Sequence, residues 1–226
     1  MIIFIRSLIF NILFYFWTFI ISFFSFHVFF LNRKYDVMVW FAWIKITNKI
    51  LKRVINLNYE VKGLNNINSK KVIYACQHQS AWDTIIIPYL IGDCVIFHKR
   101  SLLFIPLFGW HLYKLGMIII TRNKGTNNLK KIINKAKKEV NKNRPILIFP
   151  HGTRTLPNSK NKIQSGIVIL YKYLNINVVP IKLDSGKFWG KNKFLKYPGK
   201  ITVNFMKPIK PGLNPGNFRK KLEKIL

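Results

Sequence analysis

The residues able to do chemistry in this chain lie in two short blocks, Gln77-His78-Gln79-Ser80-Ala81-Trp82-Asp83 and Phe149-Pro150-His151-Gly152-Thr153-Arg154. In the first, four residues separate a histidine from a carboxylate. A histidine can move a proton near neutral pH, and a carboxylate beside it fixes its tautomer and stabilises the imidazolium that forms. The second block ends in an arginine, whose planar fork matches phosphate oxygens as a lysine cannot. Together they predict group transfer to a hydroxyl on a phosphorylated substrate.

Local structure must bring these side chains to one place. The apolar run Val72-Ile73-Tyr74-Ala75-Cys76 reads as a buried strand leading to His78. Ser80-Ala81-Trp82-Asp83 fits a capping box that opens a helix over Ser80 to Leu90, with Asp83 in its first turn beside the helix dipole. His78 then stands at the carboxyl end of a strand, where open α/β sheets form clefts. The second block follows a strand over Ile146 to Phe149, and Gly152 and Thr153 suggest a backbone nest beside Arg154. Further strands are predicted at Tyr59 to Val61, Val95 to His98, Met117 to Ile120, Val178 to Ile181 and Ile201 to Phe205. Helices are predicted at Leu102 to Leu115 (interrupted near Pro106 and Gly109), Asn127 to Asn141, Gly166 to Tyr173 and onward from Asn217. Strands alternating with helices predict an α/β fold, a central sheet covered by helices on both faces. The helix over Leu102 to Leu115 is apolar enough for either the core or a dip into a bilayer.

The N-terminal quarter reads differently. Ser7 to Leu31 carries no charge beyond a possible one on His27, and it is long enough for a membrane helix. It shows no small-residue cleavage site, so a retained anchor is expected rather than a removed signal peptide. Val37 to Leu57 is a second apolar stretch, broken by Lys45, Lys49, Lys52 and Arg53. It reads either as an interfacial or hairpin helix or as a core helix. Residues 1–57 are therefore expected to form a membrane anchor and residues 58–226 the catalytic domain, on the cytoplasmic side of the cell membrane by the positive-inside tendency.

The net charge is +31, from 38 basic and seven acidic residues. Such a surface favours polyanions, among them an anionic bilayer. The charges are scattered, and 30 lysines stand against eight arginines amid abundant Asn, Ile and Phe, the pattern of A- and T-rich coding. No nucleic-acid motif accompanies the charge, and no nucleic-acid partner is expected. Cys76 and Cys94 lack CxxC spacing, and no Cys/His cluster has zinc spacing, so no metal is expected.

HQSAWD together with FPHGTR resembles the glycerolipid acyltransferase family, in particular the bacterial 1-acyl-sn-glycerol-3-phosphate acyltransferases. The family's NHQSxxD motif matches at His78, Gln79, Ser80 and Asp83, with Gln77 in place of its asparagine. Its second region resembles Lys99-Arg100, Ile105-Pro106-Leu107-Phe108-Gly109-Trp110 and Gly116 to Arg122. FPEGTR matches at Phe149, Pro150, Gly152, Thr153 and Arg154, and an apolar VVP strand matches Val178-Val179-Pro180. Ser185-Gly186-Lys187-Phe188-Trp189 also resembles the segment that bacterial members carry after this strand.

The resemblance implies a mixed central sheet flanked by helices, and it implies a reaction. An acyl group would pass from acyl-carrier protein or coenzyme A to the sn-2 hydroxyl of lysophosphatidic acid, giving phosphatidic acid without a further cofactor. It implies His78 as general base and Asp83 as its orienting partner. It implies phosphate binding by Arg154 and Arg122, with Gly152 and Thr153 beside them; the alternative for Arg122 is a surface charge after a strand. Expected partners are membrane lipids, the acyl donor and lysophosphatidic acid. The chain departs from the family at His151, where a glutamate is usual, and at Gln164, where lysine often precedes Ser-Gly. Two other readings remain: an acyltransferase of the same superfamily with another acceptor, or a catalytically decayed homologue that binds lipid or acyl carrier.

Overall fold

The computed structural model describes residues 1–67, 71–105, 108–120, 126–157, 159 and 161–226. Its centre is a seven-stranded sheet. The strands are β1 (Leu57–Lys62), β2 (Val72–Cys76), β3 (Val95–Lys99), β4 (Ile118–Ile120), β5 (Ile146–Ile148), β6 (Asn177–Leu183) and β7 (Gly199–Phe205), in the order β1-β7-β6-β2-β5-β3-β4. The five strands from β6 to β4 run parallel, and β7 joins β6 antiparallel with β1 parallel to β7, so the sheet is mixed as expected.

The helices are α1 (Ile2–Phe24), α2 (Arg33–Ile50), α3 (Ala81–Ile91), α4 (Phe108–Lys114), α5 (Thr126–Asn141), α6 (Ser165–Leu174) and α7 (Pro215–Ile225). Strand periodicity decides what covers each face. In β2 all five residues are buried, but Val72, Tyr74 and Cys76 pack with Trp43, Ile44, Trp82 and Ile86, whereas Ile73 and Ala75 pack with Ala136, Ile167, Tyr171 and Phe218. One core therefore lies under α1, α2 and α3, and the other under α5, α6 and α7.

The chain leaves β2 through α3 for β3 on one side, and leaves β5 through α6 for β6 on the other. These connections diverge to opposite faces at the carboxyl ends of β5, β2 and β6, the kind of switch point at which open α/β sheets take their ligands.

The two N-terminal helices form a hairpin that is also part of the core. Trp43, Ile44 and Thr47 of α2 are buried while Lys45 and Lys49 are exposed, so this stretch is a core helix with a lysine-bearing outer side. A π-helical turn over Leu51–Ile55 continues α2, and Asn56 closes it in the left-handed region. Helix α1 is long and apolar enough to cross a membrane by length and composition. Yet one of its sides is fastened to the domain. Ser7 Oγ accepts from the Lys196 N–H at 2.9 Å, and Phe10, fully buried, meets the Trp189 ring edge-on at 5.3 Å. Its other side presents Phe16, Phe19, Phe23 and Phe24.

The helix expected over Leu102 to Leu115 with an interruption near Pro106 and Gly109 is a 3-10 turn (Arg100–Phe104) followed by α4, with Pro106 and Leu107 outside the described residues. A buried ionic knot fixes α4 against α2. Asp36 is 1% exposed, His111 Nδ1 donates to it at 2.6 Å, and Lys114 Nζ stands 3.0 Å from its other oxygen. Lys114 also donates to the carbonyls of Val28 and Leu31, each at 2.6 Å.

Candidate active site

The first block folds as its local sequence dictates. Ser80 is the N-cap of α3, its Oγ accepting from the Trp82 N–H at 3.1 Å, and Asp83 completes the capping box. One carboxylate oxygen of Asp83, Oδ2, accepts from the backbone N–H groups of Gln79 and Ser80 at 2.7 and 2.8 Å. The same oxygen stands 3.0 Å from His78 Nδ1. An acceptor-only carboxylate leaves Nδ1 to carry the proton, so the lone pair of the neutral imidazole is on Nε2. Asp83 is fully buried, while the His78 side chain keeps 15% of its surface accessible. The dyad thus has an interior anchor and an open nitrogen. The nearby Cys76 thiol is pushed well above its usual pKa, first by burial and then by the Asp83 charge, so it is an inert core group.

The second block closes over the first. The Phe149 ring stacks on the His78 imidazole with centroids 4.2 Å apart. The N–H of Thr155 donates to the His78 carbonyl at 2.7 Å, which sets Arg154, one residue earlier, beside the His78 backbone. Gly152 turns the loop with φ of 68°, in the left-handed region, and its N–H donates to the Phe149 carbonyl at 2.9 Å. Thr153 is exposed, and Lys191 Nζ reaches its hydroxyl at 3.5 Å. Arg154 is half-buried and forms no ion pair among the described residues. An arginine left without a carboxylate in a turn of glycine and threonine is suited to an anion. Arg122 lies outside the described residues.

His151 is the departure from the family motif. Burial lowers its pKa below the usual 6.5, against the opposing influence of the Asn161 backbone and the Glu223 carboxylate. Its buried Nδ1 has no hydrogen-bond partner among the described residues. The imidazole is therefore neutral at pH 7, and the groups that bear on it belong to the loop before α6 and to α7.

A third contributor carried no assigned role in the sequence. Ser185, fully buried just past β6, donates its hydroxyl to Asp83 Oδ1 at 2.5 Å. The signal that could have found it is positional: like His78 and the Phe149 block, it follows the carboxyl end of one of three adjacent parallel strands. Gly186, next to it, packs so closely that a Cβ there would stand 3.0 Å from the Gln79 side chain and from the Pro157 ring.

This geometry can be set beside known proteins. A family model described as Acyltransferase matches residues 58–184, which includes both blocks. A 1-acyl-sn-glycerol-3-phosphate acyltransferase from Pseudomonas aeruginosa is 33% identical over 161 residues, 71% of this chain and 63% of that protein. One from Cocos nucifera is 27% identical over 167 residues, 73% of this chain and 54% of that protein. The chain thus spans somewhat less than two thirds of these curated relatives. Among solved structures, the LPA acyltransferase PlsC of Thermotoga maritima shares the fold with a TM-score of 0.76 at 19% identity, over 98% of this chain and 94% of that one. With its motifs gathered at one sheet edge and a family match over more than half its length, the chain belongs to the acyltransferase family.

Proposed function

We propose that this protein is a membrane-associated 1-acyl-sn-glycerol-3-phosphate acyltransferase. The observation that carries the reading is the meeting of the His78–Asp83 dyad with the Phe149–Arg154 loop at the carboxyl edge of β5, β2 and β6. Relatives that bear the name of this activity, at 33% and 27% identity, support the choice of reaction.

His78 Nε2 takes the proton from the sn-2 hydroxyl of lysophosphatidic acid as that oxygen attacks the thioester carbonyl. Asp83 holds the Nδ1–H and stabilises the imidazolium. The tetrahedral intermediate collapses to the ester and expels the thiolate of acyl-carrier protein or coenzyme A, which receives the proton from His78. The hydroxyl itself is the nucleophile, so no acyl-enzyme and no resident cofactor are required. Arg154, with Gly152 and Thr153 beside it, grips the phosphate of the acceptor, and Arg122 is assigned the same task. The outer face of α1 seats the protein on the membrane, with the site on the cytoplasmic side.

The test is an acyl-transfer assay on membranes carrying the protein, with lysophosphatidate and each acyl donor in turn. Glycerol 3-phosphate and head-group-bearing lysophospholipids serve as competing acceptors. Phosphatidate should be the principal product. A well-expressed, membrane-located protein that makes none, or that prefers a competing acceptor, overturns the reading.

A further inference from the structure

We propose that Ser185 is a positioning residue for the His78–Asp83 dyad, held in place by the two glutamines that flank His78. This rests on the acyltransferase reading of the dyad.

The two oxygens of Asp83 are unequally served. Oδ2 receives the Gln79 and Ser80 N–H groups and the His78 Nδ1–H, whereas Oδ1 receives the Ser185 hydroxyl alone among the described residues. A carboxylate fixed by one oxygen can pivot about its Cβ–Cγ bond, because that terminal torsion is soft. A donor on the second oxygen stops the pivot and holds the first in line with Nδ1. Both Asp83 and Ser185 are fully buried, so water does not readily replace the hydroxyl.

The turn that carries Ser185 is gripped on both sides. Gln77 Oε1 accepts from the Leu183 N–H, two residues before it, at 3.1 Å. Gln79 Oε1 accepts from the Gly186 N–H, one residue after it, also at 3.1 Å. The Ser185 carbonyl accepts from Phe188 and Trp189 at 3.1 and 2.9 Å, closing a 3-10 turn. The residues on either side of the base thus brace the turn that steadies its carboxylate. Gln77, where the family has asparagine, has a role here: its longer arm spans to β6, and its amide nitrogen donates to the Leu226 carbonyl.

The experiment uses the full chain in phospholipid micelles, with lysophosphatidate and palmitoyl-coenzyme A as substrates. Ser185→Ala should lower kcat by about tenfold to a hundredfold, the scale of a misaligned catalytic group, with KM for lysophosphatidate changed by less than about twofold. In an Asp83→Ala background the same substitution should cost nothing further, because Ser185 acts through that carboxylate. Gly186→Ala, which keeps the hydroxyl but pushes the turn off Gln79, should reproduce the kcat loss, and it decides the matter if the Ser185 variant does not fold. Proton NMR gives a readout independent of turnover: the low-field Nδ1–H resonance of His78 should broaden or move in both variants. An unchanged kcat together with an unchanged resonance overturns the proposal, as does an equal loss in the presence and absence of Asp83. If the wild-type protein makes no phosphatidate, the reading of the function fails, and the resonance still decides the role of Ser185.

Discussion

The Phe149 ring lies nearly parallel to the His78 imidazole, its plane inclined by 26° and its centroid 4.2 Å away. It covers one face of the ring, so that rotation of the imidazole about its Cβ–Cγ bond would break both the stack and the bond to Asp83. Phe149→Ala should lower kcat by about tenfold, on the basis that an aromatic pair contributes about 1 kcal/mol beyond its buried area and that alignment is lost with it. Phe149→Tyr should retain most of the activity. Steady-state kinetics of both variants test this, and equal rates for Ala and wild type would count against a role for the stack.

His78 and Arg154 should fail differently. On the proposed roles, His78→Ala should reduce kcat by about two to four decades while leaving acceptor binding intact. Arg154→Ala should act mainly on KM for lysophosphatidate, raising it by about tenfold or more, as expected of the proposed charge-assisted contact to phosphate. Binding of lysophosphatidate to each variant, measured by calorimetry in micelles, separates the two. Equal losses of binding would contradict the assignment.

His151 carries a pH prediction. Its pKa in the folded chain is below 6.5, so between the folded and unfolded values the unfolded chain binds more protons. Stability from this group is present above about 6.5 and is lost as pH falls through the folded value. Thermal unfolding between pH 7.5 and 5 should show the decline, and His151→Gln should flatten it. Restoring an acid by His151→Glu sets a carboxylate beside Glu223, and Glu223→Gln in the same chain should recover the stability that this costs. A slope that does not change in the Gln variant would remove His151 as its source.

Much of this site was legible from residues close in sequence. The capping box of Ser80 and Asp83 is a contact across three positions, so its spacing alone announces it. The all-apolar run of β2 announced a strand buried on both faces. What could not be read is what arrives from a distance. Ser185 reaches Asp83 across 102 residues, and nothing in either segment says that β6 lies next to β2. The lysines of α2 pointed to an interface, but a helix can show lysines on one side and bury Trp43 and Ile44 on the other. Pro106 and Gly109 announced a break in the helix over Leu102 to Leu115, but not that Gly109 lies so close to Leu103 that a Cβ would meet its carbonyl oxygen at 2.2 Å. Hydropathy follows apolar content and is silent about such close backbone approach.

The ionic knot of α2 and α4 should be costly to break. Asp36→Asn leaves Lys114 among carbonyls without its counter-charge and weakens the bond to His111. Removing one partner of a buried pair costs about 3 to 5 kcal/mol, so the melting temperature should fall well below that of the wild type. A melting temperature within a degree of wild type would show that the pair contributes little.

The fastening of α1 determines how the protein could ride on a bilayer. Lys196, 4% exposed, donates to Asn11 Oδ1 at 2.7 Å and to the Phe194 carbonyl at 2.9 Å, and its ammonium lies 5.1 to 5.6 Å from the ring centroids of Trp189, Phe10 and Phe194. A helix clamped in this way cannot swing like a mooring rope. Helix α1 and the sheet move as one hull, and on a bilayer its waterline would be set by the aromatic ridge of Phe16, Phe19, Phe23 and Phe24. The height of His78 above that line would then be a constant of the fold. An acceptor would be chosen partly by whether its hydroxyl floats at that height while its tails stay submerged.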